Sequence, residues 1–291
     1  MQRNDPCWCG SGVKWKKCHF PSPGKLTADL LRKKYLNDHH ILLKDEKQVA
    51  GIREACRLTS EILIATRKMA KEGVTTQELD TYAAQLHRDA GAIPAALHYG
   101  HPPFPKGICT SFNEVICHGI PDNTPLRQGD ILNIDIASIY KGFFGDCSLM
   151  VTIGELSAER QLVVDVSYEC LMRSIAILKP GIPVSDIGEV IESYANSMGC
   201  SVVNQFVGHG VGVKFHEDPQ IPHCRNRNSV ILVPGMTFTI EPMINAGVRE
   251  AVIDPLNYWT ARTKDNRSSA QWEHTLLITE EGHEVMTTWT R

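Results

Sequence analysis

The sequence lacks the features that would direct it to a membrane or to secretion. No run among its 291 residues approaches the roughly 18 apolar residues needed to span a bilayer. Its first residues contain no apolar core of the kind that a secretory signal peptide carries. Net charge is also small, at −3, which argues against a surface devoted wholly to nucleic acid. We therefore expect a soluble, cytoplasmic protein with neither a membrane nor a sequence-specific nucleic-acid partner.

A disulfide framework is also not expected, although the chain has ten cysteines. Three of them lie close together at the start of the chain, and the other seven are scattered among apolar residues. Without a secretory signal, scattered cysteines of this kind are typical of reduced, mostly buried thiols. Hydrophobic residues make up 42% of the chain and charged residues 22%, which is typical of a globular protein with a large core.

Charge is distributed unevenly along the chain. Residues 1–34 hold eight basic side chains and two acidic ones, so the remainder is acidic overall. A basic segment attached to an acidic body favours an anionic partner for that segment, and it is equally compatible with a solvated tail.

The start of the chain contains a candidate zinc site. Three cysteines and a histidine lie close together in sequence, and the glycine-rich segment 10–12 supplies a turn between the two pairs. Four soft ligands satisfy a closed tetrahedral zinc site. A segment with so few large apolar residues needs the stabilisation of a bound metal in order to fold. The alternative is a disordered tail whose thiols bind nothing. The candidate ligands are Cys7, Cys9, Cys18 and His19.

This segment resembles the SEC-C module, a short zinc element with the pattern Cys-x-Cys-x8-Cys-His. The resemblance covers residues 3–20 and implies docking onto protein or ribosomal partners. Proline and glycine within residues 20–24 indicate a linker after it. We accordingly divide the chain into a zinc module over 1–24, a linker over 25–45 and a main domain over 46–291.

The main domain contains a candidate internal repeat. Each half has two helices separated by a glycine turn, with strands following, which predicts an α+β fold in which helices cover antiparallel sheet. The spacing between Gly73 and Gly91 in the first half equals that between Gly181 and Gly199 in the second. This favours a duplication, although two glycines are weak anchors and coincidence is the alternative. The predicted helices cover 46–72, 76–90, 159–179 and a stretch ending near 198.

Two aspartates face each other across a predicted hairpin. Apolar and polar residues alternate from 130 to 137, residues 140–142 form a turn, and residues 143–153 form the return strand. Counting from the turn makes Asp135 and Asp146 near cross-strand neighbours. Opposed like charges are destabilising, and an unpaired carboxylate among apolar residues is costly. A bound cation removes both penalties. The alternative is a shifted register in which one aspartate faces solvent.

Further candidate ligands follow later in the chain. Glu241 and Glu273 are each the lone acid in a strand of β-forming residues. His209 lies among glycines, and glycine permits a close approach of backbone to a site. His216 follows seven residues later, and His118 lies in an apolar stretch. Each of them alone is more often a surface acid or a structural histidine, but together they form a candidate set.

Four carboxylates and an imidazole make an oxygen-rich donor set. Such a set suits Mn, Fe, Co or similar divalent ions better than a thiolate site would. Five donors are more natural for two cations that share bridging carboxylates than for one. Two metals roughly 3.5–4 Å apart activate a water and polarise a carbonyl, so we expect hydrolysis.

These residues lie in motifs that resemble the type I methionine aminopeptidases, a family with the pita-bread metallohydrolase fold. The order, spacing and flanks of the motifs agree from about residue 47 to the end of the chain. The family has two pseudo-symmetric halves, which agrees with the repeat. The matching stretches are 111–121 (SFNEVICHGIP), 133–135 (NID), 145–148 (GDCS), 208–212 (GHGVG), 239–242 (TIEP) and 270–275 (AQWEHT).

The resemblance implies a role for each candidate ligand. Asp135 would chelate one metal, and His209 and Glu241 would complete the other. Asp146 and Glu273 would bridge both. A bridging hydroxide would attack the carbonyl of the first peptide bond, and Glu241 would also act as general base.

The resemblance also assigns residues that contact the substrate. His216 would hydrogen-bond the scissile carbonyl and help to stabilise the oxyanion, and His118 would contact the scissile amide. The α-amine of the substrate would bind one metal, so that only N-terminal residues are removed. The methionine slot and its surroundings would consist of Tyr99, Phe104, Cys109, His118, Phe215, His216 and Trp259. A monovalent cation, Na or K, would bind at Asn113, Val115 and Ser269.

The activity implied is removal of the N-terminal methionine from nascent polypeptides whose second residue is small. The active-site metals would be two divalent ions among Mn, Co, Fe, Ni and Zn. One alternative is a proline-specific aminopeptidase of the same fold, but such enzymes carry a longer N-terminal domain than the segment before residue 46 here. Another is a non-catalytic adaptor, which would have lost metal ligands, whereas all five are present here.

Overall fold

The computed structural model describes residues 3–7, 11–18, 27–289 and 291. Six helices lie in this part of the chain, and none of them combines the length and apolarity needed to cross a membrane. In chain order they are α1 (Trp15–Cys18), α2 (Ala28–His39), α3 (Glu46–Met69), α4 (Thr76–Asp89), α5 (Ala158–Ala176) and α6 (Ser185–Ser197).

Fifteen short strands accompany these helices in the described residues. The strands of the first half are β1 (Ile93–Pro94), β2 (Cys109–Phe112), β3 (Val115–Cys117), β4 (Ile131–Tyr140) and β5 (Phe143–Thr152). Those of the second half are β6 (Ser201–Val202), β7 (Gly208–Gly210), β8 (Glu217–Ile221), β9 (Thr237–Ile240), β10 (Met243–Asn245), β11 (Ala251–Ile253), β12 (Ala261–Thr263), β13 (Ser269–Gln271), β14 (His274–Ile278) and β15 (His283–Val285).

Local signals set the boundaries of the first helix pair. Asp45 caps α3 through a capping box with Gln48, and Thr75 caps α4 through a box with Glu78. In each box the cap oxygen accepts from a backbone N–H in the first turn, which satisfies donors that the helix itself leaves unpaired. The predicted helices over 46–72 and 76–90 therefore agree with α3 and α4 to within three residues.

The glycines of the sequence repeat occupy equivalent backbone positions. Gly73 follows α3 with a φ of 85°, and Gly181 follows α5 with a φ of 96°. Gly91 and Gly199, which follow the second helix of each pair, have φ values of 66° and 74°. Positive φ is routine only for glycine, so the equal spacing of the two pairs reflects turns of the same kind in each half. The repeat is thus present in the backbone conformation as well as in the sequence.

Antiparallel pairing connects all the strands of the four sheets. In the first half, β4 pairs with β1 and β2 along one edge and with β5 along the other. The largest sheet of the second half has the order β15-β14-β9-β7-β8. One continuous apolar core, which includes Ile134, Val163, Phe238 and Trp272, joins the helices to these sheets. This core fixes the strands that carry the candidate ligands.

The hairpin of β4 and β5 has a register two residues removed from the predicted one. Asp135 lies opposite Ser148, and Asp146 lies opposite Ala137. The turn is therefore the two-residue pair Lys141 and Gly142, both with positive φ, rather than residues 140–142. Because the difference is an even number of residues, the aspartates remain on one face as diagonal neighbours.

The segment over 25–45 differs from the predicted linker. Residues 28–39 form α2, and Tyr35 is completely buried and donates its hydroxyl hydrogen to the carbonyl of Ile231 at 3.0 Å. Ile41 and Leu43 are buried in the main core. The packed body therefore begins near residue 28 rather than at 46. The apolar residues of this segment do not follow a clear helical period, so the sequence did not predict this helix.

The described part of the predicted zinc module is a small paired unit. Pro6 forms an antiparallel bridge with Lys14, and the amide of Cys7 donates to the carbonyl of Val13 at 2.9 Å. Cys7 is buried, and Cys18 lies 3.2 Å from the hydroxyl of Ser11, measured from sulfur to oxygen. The pairing brings residues 6–7 next to residues 13–14. The other two candidate zinc ligands, Cys9 and His19, lie outside the described residues.

Candidate metal centre

Strands from both halves of the chain bring the five candidate ligands to one place. Asp135 lies on β4 and Asp146 on β5 of the first half. His209 lies on β7, and Glu241 directly follows β9. Glu273 lies between β13 and β14 and forms an isolated antiparallel bridge with Ser148. This bridge joins the two halves at the site, because Ser148 is also the cross-strand partner of Asp135.

The distances define a compact donor cluster. His209 Nε2 lies 3.7 Å from Asp146 Oδ2 and 3.7 Å from Glu241 Oε1. One donor atom each of Asp146, His209 and Glu273 lie within 4.8 Å of one another. His209 Nδ1 lies 2.9 Å from the carbonyl oxygen of Gly210, which can only accept. That hydrogen bond places the proton on Nδ1 and leaves the lone pair of Nε2 directed at the carboxylates.

Burial makes the charged form of these carboxylates unfavourable. It raises the pKa of Asp135 to about 7 and that of Glu241 to about 8. Burial also raises the pKa of Asp146 and of Glu273, and the charges of neighbouring carboxylates raise both further. Within the described part of the chain, no Lys or Arg forms an ion pair with any of the four. Divalent cations supply the missing positive charge, so this donor set fits them.

Neighbouring polar side chains hold Glu241 in a single orientation. The hydroxyl of Thr239 donates to Glu241 Oε1 at 2.8 Å, and the amide of Gln271 donates to Oε2 at 3.0 Å. The backbone amide of Glu241 donates to Nε2 of His223 at 3.2 Å. Sequence reasoning missed all three. Thr239 and Gln271 lie two residues before Glu241 and Glu273, and side chains two apart share a face of a strand, so that spacing could have identified them.

A cavity of about 740 Å³ opens over the cluster. The side chains predicted to bind substrate all line it. They are Tyr99, Phe104, Cys109, His118, Phe215, His216 and Trp259. Phe104 packs edge-on against Trp259 at 5.3 Å between ring centroids, and Tyr99 packs against Phe215 at 4.9 Å. Burial raises the pKa of the Cys109 thiol, so this thiol is neutral near pH 7 and, like the aromatic rings in the lining, adds no charge. A slot of this kind suits a flexible apolar side chain.

Two histidines stand beside the donor cluster. Burial lowers the pKa of His118 to about 4, so its ring is neutral near pH 7. Its ring lies edge-on to Trp259, with centroids 5.8 Å apart. The ring of His216 stacks on Tyr99 at 4.9 Å and lies 4.1 Å from that of His209. Both histidines therefore face the space in which a substrate would meet the metals.

Part of the cavity lining comes from a segment in which the sequence predicted no site residue. Leu36, His40 and Leu42 line the cavity from the segment predicted to be a linker. The bridge between Ile41 and Asp218 lays this segment along β8. No local sequence signal connects residues 36–42 with a site built from strands much later in the chain, and only the tertiary contact reveals it.

A backbone hydrogen bond joins two of the three candidate monovalent-cation residues. The amide of Ser269 donates to the carbonyl of Asn113 at 2.8 Å, and Val115 lies two residues further along the chain. Asn113 has a φ of 45°, which turns its backbone away from an extended course. The hydroxyl of Ser269 is buried and has no hydrogen-bond partner among the described residues. An unsatisfied buried oxygen of this kind suits a small cation.

The antiparallel sheets of the two halves, three buried carboxylates, the half-buried Asp135 and an imidazole that lines the same aromatic cavity define a divalent-metal hydrolase. Residues 50–280 match the profile of metallopeptidase family M24, and residues 3–21 match the SEC-C motif. The chain belongs to metallopeptidase family M24. The prediction of the family and that of an N-terminal SEC-C module are confirmed.

Relatives of known name support the same grouping. The methionine aminopeptidase of Chlamydia pneumoniae is 57% identical over 287 residues, covering 99% of both chains. The crystal structure of methionine aminopeptidase from Rickettsia prowazekii is 40% identical with a TM-score of 0.82, covering 85% of this chain and all of that one. The prolidase from Pyrococcus horikoshii shares only the fold, at 20% identity and a TM-score of 0.70, covering 91% of this chain and 67% of that one. The predicted pita-bread fold is thereby confirmed.

Proposed function

We propose that the protein removes the N-terminal methionine from newly made polypeptides whose second residue is small. The observation that carries this proposal is the apolar, uncharged slot that opens directly onto the five-donor cluster. Such a slot would hold a thioether side chain beside the donor cluster, and metals bound there would supply the chemistry for hydrolysis of the adjacent peptide bond. The relatives named methionine aminopeptidase, which match nearly the whole chain, favour the same substrate.

We assign the donors to two divalent ions. Asp135 would hold one ion, His209 and Glu241 the other, and Asp146 and Glu273 both. Such ions, when bound, activate a water and polarise the scissile carbonyl. Mn, Co, Fe, Ni and Zn all suit these donors, and availability decides among them. The substrate's free α-amine would complete the coordination of one ion, which restricts cleavage to the first residue.

The remaining steps belong to the chain's own side chains. Glu241 accepts the proton of the attacking water, and Thr239 and Gln271 orient its carboxylate for that transfer. His216 donates a hydrogen bond to the scissile carbonyl oxygen and stabilises the negative charge that develops there. His118, neutral at pH 7, contacts the scissile amide and assists the departure of the new amine.

Specificity follows from the shape and charge of the slot. Tyr99, Phe104, Phe215 and Trp259 surround the methionine side chain, and the thiol of Cys109 closes the slot beside Asp135. A neutral thiol adds no charge that would favour a lysine or an arginine. His118 and His216 line the cavity beside the donor cluster, where they would limit the space for the second residue.

The N-terminal module has a separate role in this proposal. Cys7, Cys9, Cys18 and His19 would bind a structural zinc ion, and the basic residues around them would dock the enzyme onto the ribosome or a protein partner. The enzyme acts on nascent chains in the cytoplasm. The candidate cation site at Asn113, Val115 and Ser269 would hold Na or K, next to the hydrogen bond that joins Ser269 of the second half to Asn113 of the first.

The decisive experiment compares two peptides, one starting Met-Ala and one starting Ala-Pro. The metal-stripped protein receives each divalent ion in turn, and released amino acids are quantified. We expect methionine from the first peptide only, and only with metal. The rates restored by the individual ions rank the candidate metals.

Other outcomes would overturn the proposal. Cleavage of the Ala-Pro peptide would place the enzyme among the proline-specific members of the family. If neither peptide is cut when metal analysis finds two ions per active site, the chain would be a non-catalytic adaptor.

A further inference from the structure

A buried ion pair ties the N-terminal segment to the loop that carries His216. Lys44 Nζ lies 2.7 Å from Glu217 Oε2, and the two side chains are only 1% and 6% exposed. Lys44 precedes residues 50–280, the part of the chain that matches the family profile. Two charges are expensive to bury, and an apolar pair of similar volume is often as stable, so stability alone does not account for this ion pair.

Glu217 uses its second oxygen to close the neighbouring loop. Glu217 Oε1 accepts from the amides of Val213 and Lys214, both at 2.7 Å. The amide of Gly212 donates to the carbonyl of Lys214 at 3.1 Å within the same loop. One carboxylate thus holds two consecutive backbone N–H groups on one side and an ammonium group on the other. Hydrogen bonds to an ionised acceptor are stronger than neutral ones, so the loop is held firmly.

The loop closed in this way presents the side chains of Phe215 and His216 to the cavity. The ring of His216 lies 4.1 Å from that of His209, a candidate metal ligand. Any movement of residues 213–216 would shift His216 relative to the scissile carbonyl. The position of Glu217, one residue further along the chain, therefore controls the geometry of the site.

Lys44 is itself fixed from the other side. Its amide donates to the carbonyl of Gly235 at 2.8 Å, and its side chain reaches Glu217 from a buried position. Three residues earlier, Ile41 forms a parallel bridge with Asp218. The backbone of Lys44 is thus anchored to the second half, and its buried side chain reaches Glu217 from a fixed position.

We propose that Lys44 is a positioning residue: it holds the Glu217 carboxylate so that the loop over 213–216 keeps His216 aimed at the substrate. The proposal rests on the proposed peptidase function for its consequence in catalysis. Its structural part, the closure of the loop by Glu217, stands independently of the substrate.

Lys44→Met tests it in the full-length, metal-loaded protein. The variant removes the ammonium group while keeping most of the side chain, and Glu217 is then free to turn away from the loop. We expect faster amide hydrogen exchange in residues 212–216 and a kcat on a Met-Ala peptide lower by roughly 10- to 100-fold. Bound divalent metal, measured by elemental analysis, should not change, because none of the five donors is altered.

Two further variants separate positioning from stability. Lys141→Met makes the same chemical change in the exposed pair with Glu54 and should alter neither exchange nor kcat. The double variant Lys44→Met with Glu217→Leu replaces both buried charges by apolar side chains, so its melting temperature should recover. Amide exchange in residues 212–216 should stay fast and kcat should stay low, because no carboxylate at position 217 accepts hydrogen bonds from the amides of the loop.

The inference would be overturned by a double variant whose kcat returns together with its melting temperature. Unchanged exchange in residues 212–216 of Lys44→Met would overturn it equally. If the wild-type protein cleaves no Met-Ala peptide, the proposed function fails, while the exchange measurement still decides the role of Lys44.

Discussion

Four carboxylates share a buried cluster with one imidazole, and each of them is kept there against a desolvation penalty. Burial raises the pKa of Asp135 and of Glu241 toward neutrality, so without bound cations part of the cluster holds protons at pH 7. Cations replace those protons when they bind, because both compete for the same oxygen atoms. Metal affinity, proton binding and stability are therefore coupled at the level of single residues.

Glu241→Gln should abolish peptide cleavage in a protein that remains folded. The change keeps the shape of the side chain and removes the carboxylate that accepts the proton. We expect kcat/KM on a Met-Ala peptide to fall by at least about 100-fold. The matched control is Glu54→Gln, an exposed glutamate paired with Lys141, which should cleave at the wild-type rate. Retained turnover by Glu241→Gln with its full metal content would contradict the assignment of the base.

The metal-free protein should lose stability as pH rises from 7.5 to 8.5. The unfolded carboxyls are already ionised in this range, whereas burial holds the pKa of Glu241 at about 8 and that of Asp146 and Glu273 above the ordinary value. The native state thus binds more protons, and its stability falls by up to about 1.4 kcal/mol per pH unit for each such group. Histidines contribute little here, because their unfolded forms take up protons mainly below about pH 6.5.

Thermal melts with and without divalent metal would measure this effect. The increase in melting temperature caused by metal should be larger at pH 8.5 than at pH 7.5, because ionised carboxylates bind the cations. Parallel pH dependences in the metal-free and metal-loaded proteins would contradict the coupling.

At the scale of elements, helix α3 lies directly against the backbone of strand β5. A Cβ atom built at Gly145 would lie 2.6 Å from the backbone of Ala55 and of Cys56, so only glycine allows this approach. Gly145 immediately precedes Asp146, a candidate ligand. The close packing of one helix on one strand therefore sets the depth at which that ligand enters the site.

Gly145→Ala should destabilise the protein and weaken metal binding. The added methyl group must displace the backbone of α3 or of β5, which costs about 1–3 kcal/mol. Urea unfolding would give the free energy of unfolding, and a metal titration would give the affinity. The control is Gly282→Ala, where an added Cβ has open space and the backbone shows no positive φ. Equal stability of the two variants would show that α3 and β5 can separate without penalty.

At the scale of the whole molecule, the N-terminal segment belongs partly to the module and partly to the body. Tyr35, Ile41 and Leu43 are buried in the main core, and Lys44 pairs with Glu217. Leu36 reaches the cavity from the same segment. The boundary between the N-terminal module and the packed body therefore lies before α2 and not after it.

Two truncations should behave differently. Deletion of residues 1–24 should leave the cleavage of short peptides unchanged and weaken the association with ribosomes, because it removes only the module. Deletion of residues 1–44 should also lower stability by several kcal/mol, at roughly 1.5–3 kcal/mol for each large buried side chain lost. Peptide cleavage and thermal melts distinguish the two, and co-sedimentation with ribosomes tests the docking role. Unchanged co-sedimentation of the shorter deletion would contradict ribosome docking, and an active, stable longer deletion would contradict the packing role of α2.

Local signals account for the part of the fold that sequence reasoning predicted well. Helical periodicity and the repeated glycines are readable within a few residues, so the main helices were placed nearly correctly. The candidate ligands were predicted because carboxylates among apolar residues are conspicuous without knowledge of the fold, and the family motifs then supplied their roles.

Only the tertiary structure decided features that depend on contacts between distant residues. The register of β4 and β5 followed from a two-residue turn, which alternation of apolar residues does not distinguish from a longer one. The hydrogen bond from Gln271 to Glu241 and the ion pair of Lys44 with Glu217 join residues 30 and 173 positions apart. A sequence determines which side chains are available and which local backbone they favour. Which of them meet is decided by the packing of the two halves, since burial and electrostatic interaction act through space.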